Sequence, residues 1–227
     1  MVSIAIDGPS GAGKSSMAKA LAAELGFVYV DTGAMYRSIG LYGMRKGIDL
    51  HNEETVKELL NEISIRLAFE DGSQHIYLNE EDVSQEIRKE KAGMAASAVA
   101  SQPAVRQFLL DLQRNMAENH NVLMDGRDIG TVILPNATVK IYLTASVQAR
   151  TERRCKQLQE KGQLADFETV KKDIEQRDWQ DINRKTAPLK KAEDAFEVDT
   201  SCMTLEESFE AMLQLIRKQA TIKGEKI

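Results

Sequence analysis

"AIDGPSGAGKSSMAKAL", residues 5–21, passes from the end of an apolar run through a glycine-rich turn into an alanine- and leucine-rich helix pattern. Gly8, Gly13, Lys14 and Ser15 satisfy the spacing G-x-x-x-x-G-K-[ST]. Glycines let such a turn curl until its backbone N–H groups converge on phosphate oxygens, and the positive end of the following helix adds to the attraction. Lys14 would bridge the outer phosphates of a nucleotide, and the Ser15 hydroxyl would bind Mg²⁺. Strand, loop and helix occur in the order this chemistry requires. The nine residues Gly8, Pro9, Ser10, Gly11, Ala12, Gly13, Lys14, Ser15 and Ser16 therefore form the candidate phosphate-binding loop.

Outward from the loop, strand and helix patterns alternate. Residues 2–7, "VLMDG" (122–126) and "VKIYLTA" (139–145) read as buried strands, "FVYVD" (27–31) as another short apolar strand and "AFEVDTS" (195–201) as the last strand. The helix after the loop stops at Gly26, and another runs from Thr32 with Gly47 near its end. "QPAVRQFLLDLQRNMAEN" is an amphipathic helix with Pro103 in its first turn. Further helices are expected from about 146 to 161 and about 166 to 185. A closing helix follows, whose Thr204 and Glu207 make a capping box. Five apolar strands alternating with helices predict a five-stranded parallel α/β sheet covered on both faces. One segment breaks the rhythm. "ISIRLAF" and "SQHIYLN" flank "EDGS", so Asp71 and Gly72 mark a two-stranded hairpin inserted into the main domain. Such a ribbon is marginal alone and should pack on neighbouring helices.

Composition narrows the function. The 227 residues carry 35 acidic and 30 basic side chains, a net charge of −5, which gives no general attraction to nucleic acid or anionic membrane. No apolar run approaches the roughly 20 residues of a membrane span. "MVSIAID" reads as a first core strand, so a cytoplasmic protein is expected. Cys155 and Cys202 lie far apart without CxxC pairing, as in a reducing compartment. Cys155 in "TERRCKQ" is either a thiol activated by nearby positive charge or an ordinary helix residue. The three histidines form no ligand spacing.

A phosphate loop does not name a reaction. No N-K-x-D guanine reader is present, which argues against a GTP switch. The remaining signal is arginine: of Arg37, Arg106, Arg127, Arg153, Arg154, Arg177 and Arg184, most fall near strand ends or in one late segment. An open α/β sheet places its ligand crevice at the carboxyl ends of its strands.

"IDGPSGAGKS", "DTGAMYR", "EDVSQEIR", "ASAVASQPAVR", "DGRDIGTVILPNA", "QRDWQDINRKTAPLKKAEDA" and "VDTS" together resemble the bacterial cytidylate (CMP) kinase family, in family order from residue 4 to about 201. The resemblance implies a P-loop core of residues 1–36 and 101–227, a region of residues 37–100 that binds the monophosphate and holds the small β insert, and a helical lid over 150–185. It implies ATP as donor with Mg²⁺, CMP and dCMP as acceptors, and a monomer with neither nucleic acid nor membrane as partner. Arg37, Arg127 and Arg177 would hold the acceptor phosphate, with Thr32 nearby. Arg177 and Asp181 would lie at its ribose, Arg184 near the phosphates between the two nucleotides, and Arg153 and Arg154 on the lid over ATP. Ser97, Arg106 and Asp128 would read the base, because a carboxylate accepts from the cytosine amino group and repels the uracil carbonyl. Ser97 also fits as plain helix filler, and Asp125 as either a strand-end cap or a partner of metal-bound water. Trp179 reads as a packing residue. The rival readings are a kinase for another monophosphate such as UMP and a non-catalytic nucleotide binder.

Overall fold

The first strand, β1 (Ser3–Asp7), is buried along its length and delivers the chain into the glycine-rich turn. The computed structural model describes residues 1–70, 73–160 and 162–227. After the turn come α1 (Lys14–Leu25), β2 (Val28–Asp31) and α2 (Thr32–Lys46). Gly26 and Gly47 close these helices in the left-handed conformation, where glycine carries no steric cost. The middle of the chain holds α3 (Glu53–Leu60), β3 (Ile65–Glu70), β4 (Ser73–Leu78), β5 (Glu81–Asp82), α4 (Glu90–Ala100) and α5 (Pro103–Asn119). Then follow β6 (Val122–Gly126), a π-helical turn (Ile129–Ile133), β7 (Val139–Thr144), α6 (Val147–Glu160), α7 (Phe167–Asn183), β8 (Phe196–Asp199) and α8 (Leu205–Ile222). Thr204 and Glu207 make the capping box at the start of α8.

The main sheet has the order β2-β6-β1-β7-β8, and every neighbouring pair is parallel. Alternation along the strands divides two cores. Ile4, Ile6 and Leu123 face α1 and α8, whereas Ala5, Val122 and Met124 face the side of α2, α3 and α5. The chain leaves β1 toward β2 on one side, and leaves β6 toward β7 on the other. The carboxyl ends of β1 and β6 are thus the switch point where an open α/β sheet opens a crevice.

The insert departs from the sequence expectation in one respect. It is a three-stranded antiparallel sheet, β3-β4-β5, in place of a two-stranded ribbon. Asn79 and Glu80 adopt positive φ and reverse the chain into β5, a conformation that propensity gives no reason to expect of Glu. Asp71 and Gly72, the expected hairpin turn, lie outside the described residues. Ile76 and Leu78 of β4 are buried in the core that also holds Met35 and Ile39 of α2, so the insert packs on helices as expected. The boundary expected after residue 36 falls inside α2, which is buried on both sides of it. Trp179 does not pack. It is 67 % exposed, because α7 turns Ile174 and Asp178 inward and Trp179 to the opposite side. No helix among the described residues is long and apolar enough to cross a membrane.

Candidate active site

Gly8 opens the turn against β7. A Cβ there would lie 1.9 Å from the Leu143 carbonyl oxygen, so no other residue fits without moving the strand. Gly11 and Gly13 have φ of +74° and +88°, which L side chains rarely adopt. Lys14 is buried, and its Nζ donates to the Pro9 carbonyl at 2.7 Å, folding the side chain back over the turn. Burial, then the nearby Arg127, lower its pKa from 10.5 to about 7.

Asp125 at the end of β6 is buried under this turn. Its two carboxylate oxygens accept from Ser15 Oγ at 2.8 Å and from the Tyr29 hydroxyl at 2.9 Å. Burial and the neighbouring Asp31 push its pKa up. Thr32 donates to the Asp125 carbonyl at 2.8 Å, which joins the start of α2 to β6. Asp7, the last residue of β1, accepts from the backbone N–H groups of Ile129 and Gly130 at 2.8 and 2.7 Å. The turn that carries Arg127 and Asp128 is therefore anchored to the strand that carries the phosphate loop. Burial raises the Asp7 pKa from 3.8 to about 6.

A second group of charges faces the loop across the crevice. Arg37 pairs with Asp31 at 2.7 Å, and Asp31 also caps α2 by accepting from Ala34 N at 3.0 Å. Gln74 of the insert accepts from Asp31 N–H at 2.8 Å, so the small sheet is tied to the end of β2. Arg127 pairs with Asp181 at 2.7 Å. Burial works to raise the Asp181 pKa, but Arg127 and Arg184 outweigh it and hold the carboxyl below its usual range. Asp128 is buried between two cations, Arg106 and Arg184, the latter at 3.1 Å. Arg106 also lies over the Tyr36 ring, 5.7 Å from its centre. Ser97 bonds only weakly within its own helix, at 3.4 Å to the Gly93 carbonyl, and its hydroxyl faces the same crevice. Arg177 is exposed to the crevice and makes no hydrogen bond or ion pair among the described residues. The enclosing walls, then Arg127, depress its pKa.

Loop and charge cluster bound a single cleft of about 660 Å³. Ser10 to Ser16, Thr32, Arg37, Ser97, Arg106, Arg127, Asp128, Arg153, Arg154, Arg177, Asp181 and Arg184 all line it. Gly8 and Pro9, expected among the nucleotide contacts, lie behind it, where they shape the turn and hold Lys14. Arg153 is tied to Thr200, its Nη1 at 3.2 Å from the threonine hydroxyl, so α6 is linked to the segment before α8. Cys155 is not in the cleft. It is buried with Val170 and Ile174 between α6 and α7, the ordinary helix residue of the two expectations.

The cytidylate kinase family model matches residues 4–218. The chain belongs to the cytidylate kinase family. Among relatives of this family member, the cytidylate kinase of Pediococcus pentosaceus is 46 % identical over 220 residues, 97 % of either chain. That of Caldanaerobacter subterraneus is 48 % identical over 224 residues, 99 % of this chain and 97 % of the relative. A solved structure of an uncharacterized protein from Eubacterium ventriosum has a TM-score of 0.50 at 14 % identity, covering 95 % of this chain and 98 % of its own, a likeness of fold alone.

Several groups at the cleft of this family member escaped sequence reasoning. Asp7, Tyr29, Arg150 and Asp178 act by long-range pairing, which a linear pattern does not display, and Asp31 acts locally, by pairing with Arg37. Two of them had a visible signal: Asp31 immediately precedes the helix that holds Arg37, and Asp178 immediately follows Arg177.

Proposed function

We propose that the protein transfers the terminal phosphoryl group of ATP to CMP and dCMP, giving ADP with CDP or dCDP. The observation that carries this reading is a single cleft with a phosphate loop at one end and a second, arginine-rich phosphate site at the other. A nucleotide switch or binder needs only the first. Family membership over residues 4–218 supports the same reaction.

In this reading Ser10 to Ser16, Arg153 and Arg154 take ATP, with Lys14 leaving the Pro9 carbonyl for the outer phosphates. Thr32, Arg37, Arg127, Arg177 and Asp181 hold the acceptor phosphate and ribose, and Arg184 sits near the phosphates between the nucleotides. Guanidinium forks suit phosphate oxygens, and Arg177, with no partner among the described residues, is the cation readiest to take one. Ser97, Arg106 and Asp128 read the base. The Arg106 pairing fixes the Asp128 carboxylate, which keeps lone pairs for a cytosine amino group. Residues 37–100 form the acceptor side, residues 150–185 the lid, and the remainder the core.

The acceptor needs no general base. A nucleotide phosphate has a second pKa of about 6, so at neutral pH its oxygen is already a dianionic nucleophile. Catalysis then rests on in-line placement and on cancelling charge in a loose transition state, for which Lys14, Arg127, Arg177 and Arg184 are the available cations. The Ser15 hydroxyl and the buried Asp125 carboxylate form an all-oxygen set beside the loop that fits Mg²⁺. When bound, Mg²⁺ neutralises charge on the ATP phosphates. Closure of α6 and α7 excludes water that would otherwise take the phosphoryl group.

All of these residues come from one chain, which suits a monomer whose ligands are nucleotides. Two free cysteines and a net charge of −5 suit the cytoplasm, without nucleic acid or membrane as partner. A coupled assay of ADP release with ATP and CMP, dCMP, UMP or AMP tests the reading. CMP and dCMP should give turnover well above the others. Release of ADP that no monophosphate stimulates would favour a nucleotide binder, and preference for UMP would move the acceptor.

A further inference from the structure

Arg150 and Asp178 are both buried and both belong to the lid helices, and Arg150 lines the cleft while Asp178 lies outside its lining. They converge on one residue of the phosphate loop. Asp178 Oδ1 accepts from the backbone N–H of Ser10 at 3.0 Å. Arg150 Nη1 donates to the Ser10 carbonyl at 2.9 Å and to Asp178 Oδ2 at 2.5 Å, and Arg150 Nε donates to the Ala145 carbonyl at the end of β7 at 2.8 Å. The carbonyl of the preceding residue, Pro9, holds Lys14. One short run of backbone is thus gripped by α6, α7, β7 and the loop lysine together.

This placement has two consequences. First, the Ser10 N–H is committed to Asp178, which leaves the residues after it, Gly11 to Ser16 in the cleft lining, to supply N–H groups to a phosphate. Second, Asp178 directly follows Arg177 and lies three residues, less than one helical turn, before Asp181. Arg150 lies one turn before Arg153 and Arg154 on α6. A displacement of the loop at Ser10 is therefore transmitted to the arginines facing both nucleotides. A space-filling role alone would not require both charges to meet the backbone of the same residue.

We infer that Arg150 and Asp178 are positioning residues that hold the donor-phosphate loop in register with the lid helices. They touch neither the reacting atoms nor the acceptor, and they act through Ser10. The inference rests on the kinase reading and adds to it which buried pair sets the loop geometry.

The test is steady-state kinetics with ATP and CMP, alongside thermal unfolding, for Asp178→Asn, Arg150→Met and the double variant. Misplacing reacting groups by even about 1 Å costs on the order of a hundredfold in rate. Each single variant should lower kcat by about ten- to a hundredfold and raise KM for ATP, with KM for CMP changed by less than about twofold. The double variant should be no slower than the slower single one, because the two residues act as a unit. Asp178→Glu and Arg150→Lys keep both charges and are the variants least prone to unfold. By shifting the grip on Ser10 they should still lower kcat at least about fivefold at near-native melting temperature. Folded variants with native kcat and native KM for ATP, whatever their melting temperature, would overturn the inference. Failure of the kinase reading looks different, since the wild type itself would then release no ADP in response to CMP.

Discussion

Binding of ATP should draw a proton from solution onto Lys14. In the ligand-free protein burial and Arg127 hold the Lys14 pKa at about 7, so about half the molecules carry a neutral amine at pH 7 and about nine-tenths at pH 8. Phosphate oxygens beside the amine favour its charged form and return the pKa toward 10.5 or above. The sign follows directly. Protonation is more favourable in the complex, so binding takes up about 0.9 proton at pH 8, about 0.5 at pH 7, and almost none below pH 6. The same linkage weakens apparent ATP affinity by about fiftyfold between pH 7 and pH 9, as the ready ammonium form is depleted. Titration calorimetry at pH 8, without CMP, in buffers of different ionisation enthalpy measures the uptake as the slope of observed heat against that enthalpy. The terminal phosphate, with a second pKa of about 6, is already deprotonated there and contributes little. Lys14→Met should abolish the slope. A slope near zero in the wild type, or an equal slope in Lys14→Met, would refute the reasoning.

Arg177 is exposed and without a partner among the described residues, so Arg177→Met should leave the melting temperature within about 2 °C while lowering kcat by about a hundredfold. Native turnover in that variant would remove Arg177 from the site. Asp128→Asn should cut kcat/KM for CMP by roughly ten- to a hundredfold and shrink the preference for CMP over UMP. Equal losses for both substrates, with the ratio unchanged, would make Asp128 an anchor for Arg106 and Arg184 alone. Hydrogen exchange across residues 150–185 should slow more with ATP and CMP together than with either, and full protection by ATP alone would count against a lid drawn in by both.

The central strands were legible because they are short, largely apolar runs, and a strand buried on both faces has no polar alternation to mislead, whereas the edge strand β8 is largely exposed. β6 spans the residues that the apolar run marks, 122–126. The phosphate loop was legible because its chemistry needs glycine at fixed spacings, and the structure supplies the reasons in the φ of Gly11 and Gly13 and the contact behind Gly8. β5 was not legible. It is two residues long and depends on Asn79 and Glu80 turning through positive φ. The pairing of arginines with aspartates was hidden for a related reason. Arg127 and Asp181 are 54 residues apart, and Arg150 and Asp178 are 28 apart, so only the fold brings them together. Asp128 and Asp181 drew attention as contacts of base and ribose and not as partners of arginine, and Asp31 and Asp178 drew none.

Those aspartates explain how a chain of net charge −5 can keep a cleft for two polyanions. Unpaired, Arg37, Arg106, Arg127, Arg150 and Arg184 would repel one another across one crevice, and the ligand-free protein would bear that cost. Instead Asp31, Asp128, Asp178 and Asp181 each engage at least one of them. The pairing does more than cancel charge. A guanidinium fixed by a carboxylate has already lost its rotamer freedom, so less ordering remains to be done when phosphate arrives. Arginine has five N–H donors, and one or two go to the aspartate, which leaves the rest for a second oxygen. Lysine could not divide its contacts along a fixed plane in this way, and Lys14, whose amine folds against the loop, sits against a carbonyl and not a carboxylate. In the proposed reaction its amine would change both partner and protonation state when the donor nucleotide binds.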